Sequence, residues 1–121
     1  MDYSRAHLGR TGEDLAAQYI ERHGGRIVAR NWRTKRGELD LIVLEKKSLA
    51  FVEVKSKSST AAGEPSEAVD WSKRRKIEQL AQEFIQRRHL VPEEMRFDVV
   101  EIVWDDPPAI HWLRGAWWEG E

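Results

Sequence analysis

The chain has 121 residues, which is enough for one domain with a hydrophobic core and too few for two ordinary domains. Charged residues make up 34% and apolar residues 40% of the sequence, a balance typical of folded domains rather than of disordered segments. The absence of cysteine excludes disulfides and thiolate metal sites, and no apolar run has the length of a membrane span or the form of a signal peptide. We therefore expect a single cytoplasmic domain over residues 1–121, with no membrane partner.

Two clusters of cations lie in a chain whose net charge is only −1. Residues 26–36 contain five cations and no acid, and residues 73–76 are four cations in a row. Such clusters could neutralise the phosphate charges of a nucleic-acid backbone. A solvated helix face is the ordinary alternative for the second cluster, although cations are unfavourable at a helix N-terminus. The candidate nucleic-acid contacts are Arg30, Arg33, Lys35, Arg36, Lys73, Arg74, Arg75 and Lys76.

Hydrophobic periodicity predicts seven elements in the order α-β-β-β-α-β-β. Thr11 is a plausible cap of the first helix, which places Glu13 and Asp14 in the first turn, where the helix dipole favours acids. The predicted elements are helices at 11–23 and 72–89, and strands at 26–32, 38–44, 49–56, 95–104 and 109–113. This order predicts an α/β sandwich, with a central mixed sheet flanked by helices and a short C-terminal strand.

Acidic residues interrupt the hairpin formed by the second and third strands. A turn at residues 45–48 pairs positions whose numbers sum to 93, so Asp40 opposes Glu53 and Glu38 opposes Lys55. The other face of the hairpin is entirely apolar and includes residues 39, 41 and 43. Two ionised carboxylates about 5 Å apart repel by roughly 3 kcal/mol at an effective dielectric constant near 20, so the pair needs compensation.

The sequence leaves three forms of compensation open: a raised pKa on one acid, an ion pair with Lys55, or a divalent cation. Glu13 lies on or beside the apolar stripe of the first helix and offers a third carboxylate, and oxygen ligands suit Mg²⁺. Lys55 shares a strand face with Glu53, so a metal ligand and an ammonium group could converge on one phosphate. This pattern is typical of phosphodiester hydrolysis, although ordinary ion pairing explains Lys55 and a favourable first-turn position explains Glu13.

The segments around these residues resemble the PD-(D/E)XK nuclease superfamily and, more closely, the bacterial YraN family, which is distantly related to archaeal Holliday-junction resolvases. The matching segments are GRTGED (9–14), ARNWRTKRGELDLIVLE (29–45), LAFVEVKSKSS (49–59), SKRRKI (72–77) and MRFDVVEI (95–102). The resemblance implies a restriction-endonuclease-like fold. It assigns Asp40, Glu53 and Glu13 as metal ligands and Lys55 as the catalytic lysine. Leu39 stands where the superfamily motif has proline.

The activity implied by this resemblance is cleavage of nucleic acid, here structured DNA of the repair or recombination type, with Mg²⁺ as cofactor and Mn²⁺ as a substitute. A homodimer would suit such a substrate by analogy. Two alternatives remain: a nucleic-acid-binding module without turnover, and a protein-interaction domain. The second would use the C-terminal tryptophans Trp112, Trp117 and Trp118, which either fold back on the core or form a partner surface.

Overall fold

The computed structural model describes residues 5–58 and 69–121, with side chains from residue 11 onward. It contains α1 (Arg5–Arg22), β1 (Arg26–Thr34), β2 (Gly37–Glu45), β3 (Ser48–Ser58), α2 (Trp71–Arg88), β4 (Glu94–Trp104) and β5 (Ala109–Trp117). The strands form one sheet in the order β1-β2-β3-β4-β5, in which the pairing of β3 with β4 is parallel and the other pairings are antiparallel. The predicted α/β class, element order and mixed sheet are confirmed.

The two helices cover opposite faces of the sheet, and each face has its own hydrophobic core. Ala16 and Ile20 of α1 pack with Leu41 and other aliphatic residues of β2, β3 and β4. On the opposite face, Phe84 of α2 packs in a cluster with Phe51 of β3. Neither helix of the described residues carries an apolar stretch that could cross a bilayer.

The first helix begins earlier than its sequence pattern predicts. It is already formed at Arg5, so Thr11 lies inside the helix and is not its cap. A threonine followed by acids looks like a helix start, but the preceding residues continue the helical backbone. Gly12 serves packing instead, because a Cβ at this position would lie 2.8 Å from Oγ of Ser56 on β3. Glu13 is thus in the third turn, and the first-turn dipole explanation for this acid is wrong.

The hairpin of β2 and β3 has the predicted register near its turn. Leu44 pairs with Leu49 and Ile42 with Phe51, as the sum of 93 requires. Pairing ends at Leu41 opposite Val52, so the predicted pairs formed by residues 40 and 38 with residues 53 and 55 do not belong to the ladder. The strands separate where the acids occur, and this opens the end of the hairpin.

The C-terminal strand is longer than predicted, because its tryptophans pack on the core. Trp117 is buried and its ring stacks on Phe97 at a centroid distance of 5.3 Å. Trp112 is buried and donates a hydrogen bond from Nε1 to Asp98 at 3.0 Å. Trp118 alone of these three stays largely exposed, at 63%. Most of the aromatic C-terminus is therefore part of the fold.

Candidate metal centre

Strands β1 and β2 both switch faces at the position of the candidate site. Arg30 contacts Asp14 of α1, whereas Trp32, two residues later, packs edge-on against Phe84 of α2. Residues two apart on a regular strand share a face, so the backbone must rotate between them. Asn31 supplies this rotation with a φ of 49°, in the left-handed region that asparagine tolerates better than most residues.

The same change of face occurs on β2. Leu39 belongs to the core under α2, while Leu41 belongs to the core under α1. The prediction that these two leucines share one apolar face is therefore wrong. The physical cause is the twist shared by the two paired strands, since Arg30 pairs with Leu41 and Trp32 pairs with Leu39. Asp40 occupies the point of rotation on β2.

This twist gathers three carboxylates beside the middle of α1. Glu13, Glu38 and Asp40 each offer one oxygen, and these three oxygens lie within 4.8 Å of one another. All three side chains are partly buried, so they are accessible without being fully hydrated. Hard oxygen ligands at this spacing match the preference of Mg²⁺ and similar cations. The donor set therefore fits the metal that the sequence predicts, with Glu38 in addition to the predicted Glu13 and Asp40.

Asp40 is held in a position that opposes its ionisation. One of its oxygens, Oδ2, accepts a hydrogen bond from the backbone N–H of Val54 at 2.9 Å, and this bond alone would lower the pKa of Asp40. Burial, followed by the negative charge of Glu53, raises the pKa of Asp40 to about 7. The predicted closeness of the Asp40 and Glu53 carboxylates is thus present, and a raised pKa supplies part of the compensation.

Glu53, predicted as a metal ligand, is not one of the three clustered acids; it lies next to Asp40 and pairs with a lysine of α2. Lys73 Nζ lies 2.5 Å from Oε1 of this buried carboxylate. Burial lowers the pKa of Lys73, but the hydrogen bond and charge of Glu53 outweigh it and raise the pKa above its ordinary value. Asp40 therefore stands between two groups, with the carboxylates of α1 and β2 on one side and the Glu53–Lys73 pair on the other.

Asn31 also acts on the site through its side chain. Burial raises the pKa of Glu13, and the hydrogen bond with Asn31 opposes that rise. The charge of Glu38 raises the same pKa further, as expected for neighbouring carboxylates. Asn31 thus both turns the strand and supports the ionised form of Glu13.

Lys55 is partly buried on β3, two residues after Glu53, which by strand alternation places both side chains on one face. Its neighbour in register on β4 is Glu101, an acid that also lies 3.7 Å from Lys57. The position of Lys55 opposite Glu38 that the register predicts lies outside the ladder, and Glu38 forms an ion pair with Arg33 at 3.1 Å. The catalytic role of Lys55 stays a prediction.

The predicted nucleic-acid contacts differ in how far other groups of the protein already bind them. Arg74 and Arg75 are partly buried rather than turned outward, because Arg74 bonds the Val69 carbonyl and Arg75 the Glu78 carboxylate. Arg30 and Arg33 form ion pairs with acids of α1 and β2. The remaining residues of the predicted set are Lys35, Arg36 and Lys76, which are exposed, and Lys73, which pairs with an acid as described.

Glu38 and Asn31 are the site residues that the sequence analysis missed. Glu38 had a usable signal, because residues two apart on a strand share a face and Asp40 was already a candidate. Asn31 had none beyond the general tolerance of asparagine for a positive φ. Trp32 packs against the core, and the buried Asp98 has a structural role, since it accepts hydrogen bonds from Arg96 and two other groups.

Comparison with known proteins identifies the chain's relatives. Residues 12–102 match the model of the family described as "Uncharacterised protein family UPF0102". A UPF0102 protein of Solibacter usitatus is 46% identical over 110 residues, covering 89% of this chain and 83% of its own. Those of Alkaliphilus metalliredigens and Rhodococcus jostii are 39% and 48% identical, covering 90% of this chain and 96% and 94% of their own lengths. The chain therefore belongs to the UPF0102 family, the YraN family that its sequence resembles.

Proposed function

We propose that this protein is a metal-dependent nuclease that hydrolyses phosphodiester bonds in nucleic acid, with structured DNA as the substrate class. The observation that carries the proposal is the convergence of Glu13, Glu38 and Asp40 on one partly buried point, beside the Glu53–Lys73 pair. A sheet that needed only stability would pair the largely buried Asp40 with a cation or replace it, whereas here the neighbour of Asp40 is another carboxylate, Glu53. The cost of holding Asp40 against ionisation is instead characteristic of a functional site.

Mg²⁺ is the cofactor that this donor set fits, with Mn²⁺ as a substitute. Glu13, Glu38 and Asp40 would hold the cation, and Glu53 becomes a further ligand once Lys73 moves away from it. When bound, a divalent cation polarises a phosphoryl oxygen and lowers the pKa of a coordinated water. The positive charge also favours the ionised form of Asp40, which the metal-free site opposes.

The lysines beside the acids supply the remaining charge. Lys73 approaches the site from the first turn of α2, where a phosphate oxygen can replace its carboxylate partner. Lys55 lies on the same strand as Glu53 and can orient a nucleophilic water or neutralise developing charge on the phosphate. A symmetric dimer would bring two such sites to two strands, and light scattering with and without DNA measures that assembly.

The test is a cleavage assay on labelled single-stranded, duplex, nicked and branched DNA and on RNA, with Mg²⁺, Mn²⁺ or EDTA. Wild-type protein should cut at least one substrate with either metal and none in EDTA. Glu53→Gln should lose the activity and keep the fold by circular dichroism, while Asp14→Asn, which removes an exposed acid of α1, should keep both. Cleavage by Glu53→Gln at the wild-type rate, or no metal-dependent cleavage of any substrate, contradicts the proposal.

A further inference from the structure

A line of cations runs along α2 away from the three-acid cluster. Lys73, Lys76 and Arg87 follow one another at helical spacings that keep them on the same face, together with Glu83. Lys73 lies at the candidate metal centre through its ion pair with Glu53. The helix rises 1.5 Å per residue, so the line extends about 21 Å from its first cation to its last.

The turn between β1 and β2 adds two cations to this line. A cleft of about 500 Å³ lies between the turn and α2, lined by Thr34, Lys35, Arg36, Glu83 and Arg87. The turn fits against the helix at Gly37, whose φ of 153° suits only glycine. A Cβ there would lie 3.2 Å from Leu80 and 3.5 Å from Lys76. This contact fixes Lys35 and Arg36 beside the cations of the helix.

Most of this charge has no acidic counterpart within residues 11–58 and 69–121. Lys35, Arg36 and Lys76 form no ion pair there. The other two cations are paired, Lys73 with Glu53 at 2.5 Å and Arg87 with Glu83 at 2.7 Å. The guanidinium of Arg87 also lies 5.7 Å from the centre of the Trp32 ring, which holds it at the cleft. A row of five cations, three of them without an ion pair in the described part of a chain of net charge −1, is a surface for an extended anion.

We infer that this row binds the phosphate backbone of a nucleic-acid strand that leaves the metal centre along α2 and passes over the β1–β2 turn. We define it as the strand track: Lys73, Lys76, Lys35, Arg36 and Arg87. At a helical rise of about 3.4 Å per nucleotide, 21 Å corresponds to about six nucleotides on one side of the metal centre. That the ligand is a nucleic acid rests on the proposed function. The strand track adds the path of the bound strand and the number of nucleotides it needs on this side of the metal centre.

Binding is measured by fluorescence anisotropy of labelled single-stranded and duplex DNA, about 20 nucleotides long, in EDTA over a range of salt. The triple variant Lys35→Gln, Arg36→Gln and Lys76→Gln should bind at least tenfold more weakly than wild type. The slope of log K against log salt should become shallower by about two to three, since each lost phosphate contact contributes about 0.7–0.9. Arg87→Gln should reduce the slope by about one contact.

The matched control removes three cations elsewhere, by Arg26→Gln, Lys46→Gln and Lys47→Gln at the other end of the β2–β3 hairpin. It has the same net charge as the track variant and should bind like wild type. Equal losses in both triple variants would overturn the inference, because general charge would then explain binding, and so would the absence of DNA binding by wild type. If the track variant loses DNA binding and wild type cleaves no substrate, only the proposed nuclease activity is refuted. If wild type cleaves and both triple variants bind DNA equally well, only the strand track is refuted.

Discussion

Replacing Asp40 with asparagine should stabilise the metal-free protein in alkaline solution. The folded protein raises the pKa of this carboxyl from 3.8 to about 7, chiefly by burial and by the charge of Glu53. The folded state therefore holds the proton more tightly than the unfolded state. Stability is then highest below the unfolded pKa and falls as the pH rises through the folded pKa. Asparagine removes the ionisable group and keeps an oxygen that can accept the Val54 N–H.

The size of the effect follows from the shift in the pKa. A change from 3.8 to about 7 corresponds to about 4 kcal/mol of lost stability when Asp40 is fully ionised, since one pKa unit is about 1.4 kcal/mol. We expect Asp40→Asn to gain about 2–4 kcal/mol at pH 8 and about 1–2 kcal/mol at pH 5. For a chain of this length, the gain at pH 8 raises the melting temperature by about 10 °C.

The assay is thermal unfolding followed by circular dichroism at pH 5 and pH 8, in EDTA and in Mg²⁺. Asp14→Asn is the control, because it removes an exposed acid of the same region. Mg²⁺ at 1,000 times its Kd should cancel the advantage of Asp40→Asn at pH 8, since a ligand at that concentration adds about 4.1 kcal/mol to the protein that binds it. In EDTA, a melting temperature of Asp40→Asn that does not exceed that of wild type would refute the reasoning. So would a difference between the two proteins that is the same at pH 5 and pH 8.

Three further substitutions test neighbouring parts of the site. Glu38→Gln should weaken Mg²⁺ binding, measured by calorimetry, by at least about tenfold, whereas Asp14→Asn should not. Equal Mg²⁺ affinities of Glu38→Gln and wild type would exclude Glu38 as a ligand. Asn31→Gly keeps the positive φ, so it should lower the free energy of unfolding by less than about 1 kcal/mol. It should nevertheless raise the pKa of Glu13, and an unchanged NMR titration of that carboxyl would contradict the hydrogen bond between Asn31 and Glu13. Lys73→Gln should lower metal-free stability by up to about 1 kcal/mol in denaturant titration, less at high salt, and no loss would mean that the ion pair contributes nothing.

The fold was predictable because its signals are periodic. The stripe of α2 and the alternation in the hairpin both come from burial on one face, and a register sum follows from a single short turn. The start of α1 was not predictable in this way. The sequence at Thr11 looks like a helix cap, but the residues before it have no strong preference against a helix. Local sequence therefore does not decide where the first turn lies.

The candidate site was predictable in its residue types and less so in its geometry. Asp40 and Glu53 do come close together, but the oxygens that cluster with Asp40 belong to Glu13 and Glu38, and Glu53 pairs with Lys73. The face switch depends on Asn31 and on the pairing of β1 with β2, which strict alternation cannot anticipate. The ion pair between Glu53 and Lys73 joins a strand to a helix 20 residues away in sequence, and such contacts follow from the packing of α2.

The central claim is that the carboxylates of Glu13, Glu38 and Asp40 form a site for a divalent cation. Calorimetric titration of Mg²⁺ at pH 7, in buffers of different ionisation enthalpy, tests it directly. The account predicts saturable binding at one site per chain, with net proton release because Asp40 is partly protonated at this pH. Binding that is absent, or that persists without proton release in Asp40→Asn at wild-type affinity, would contradict it.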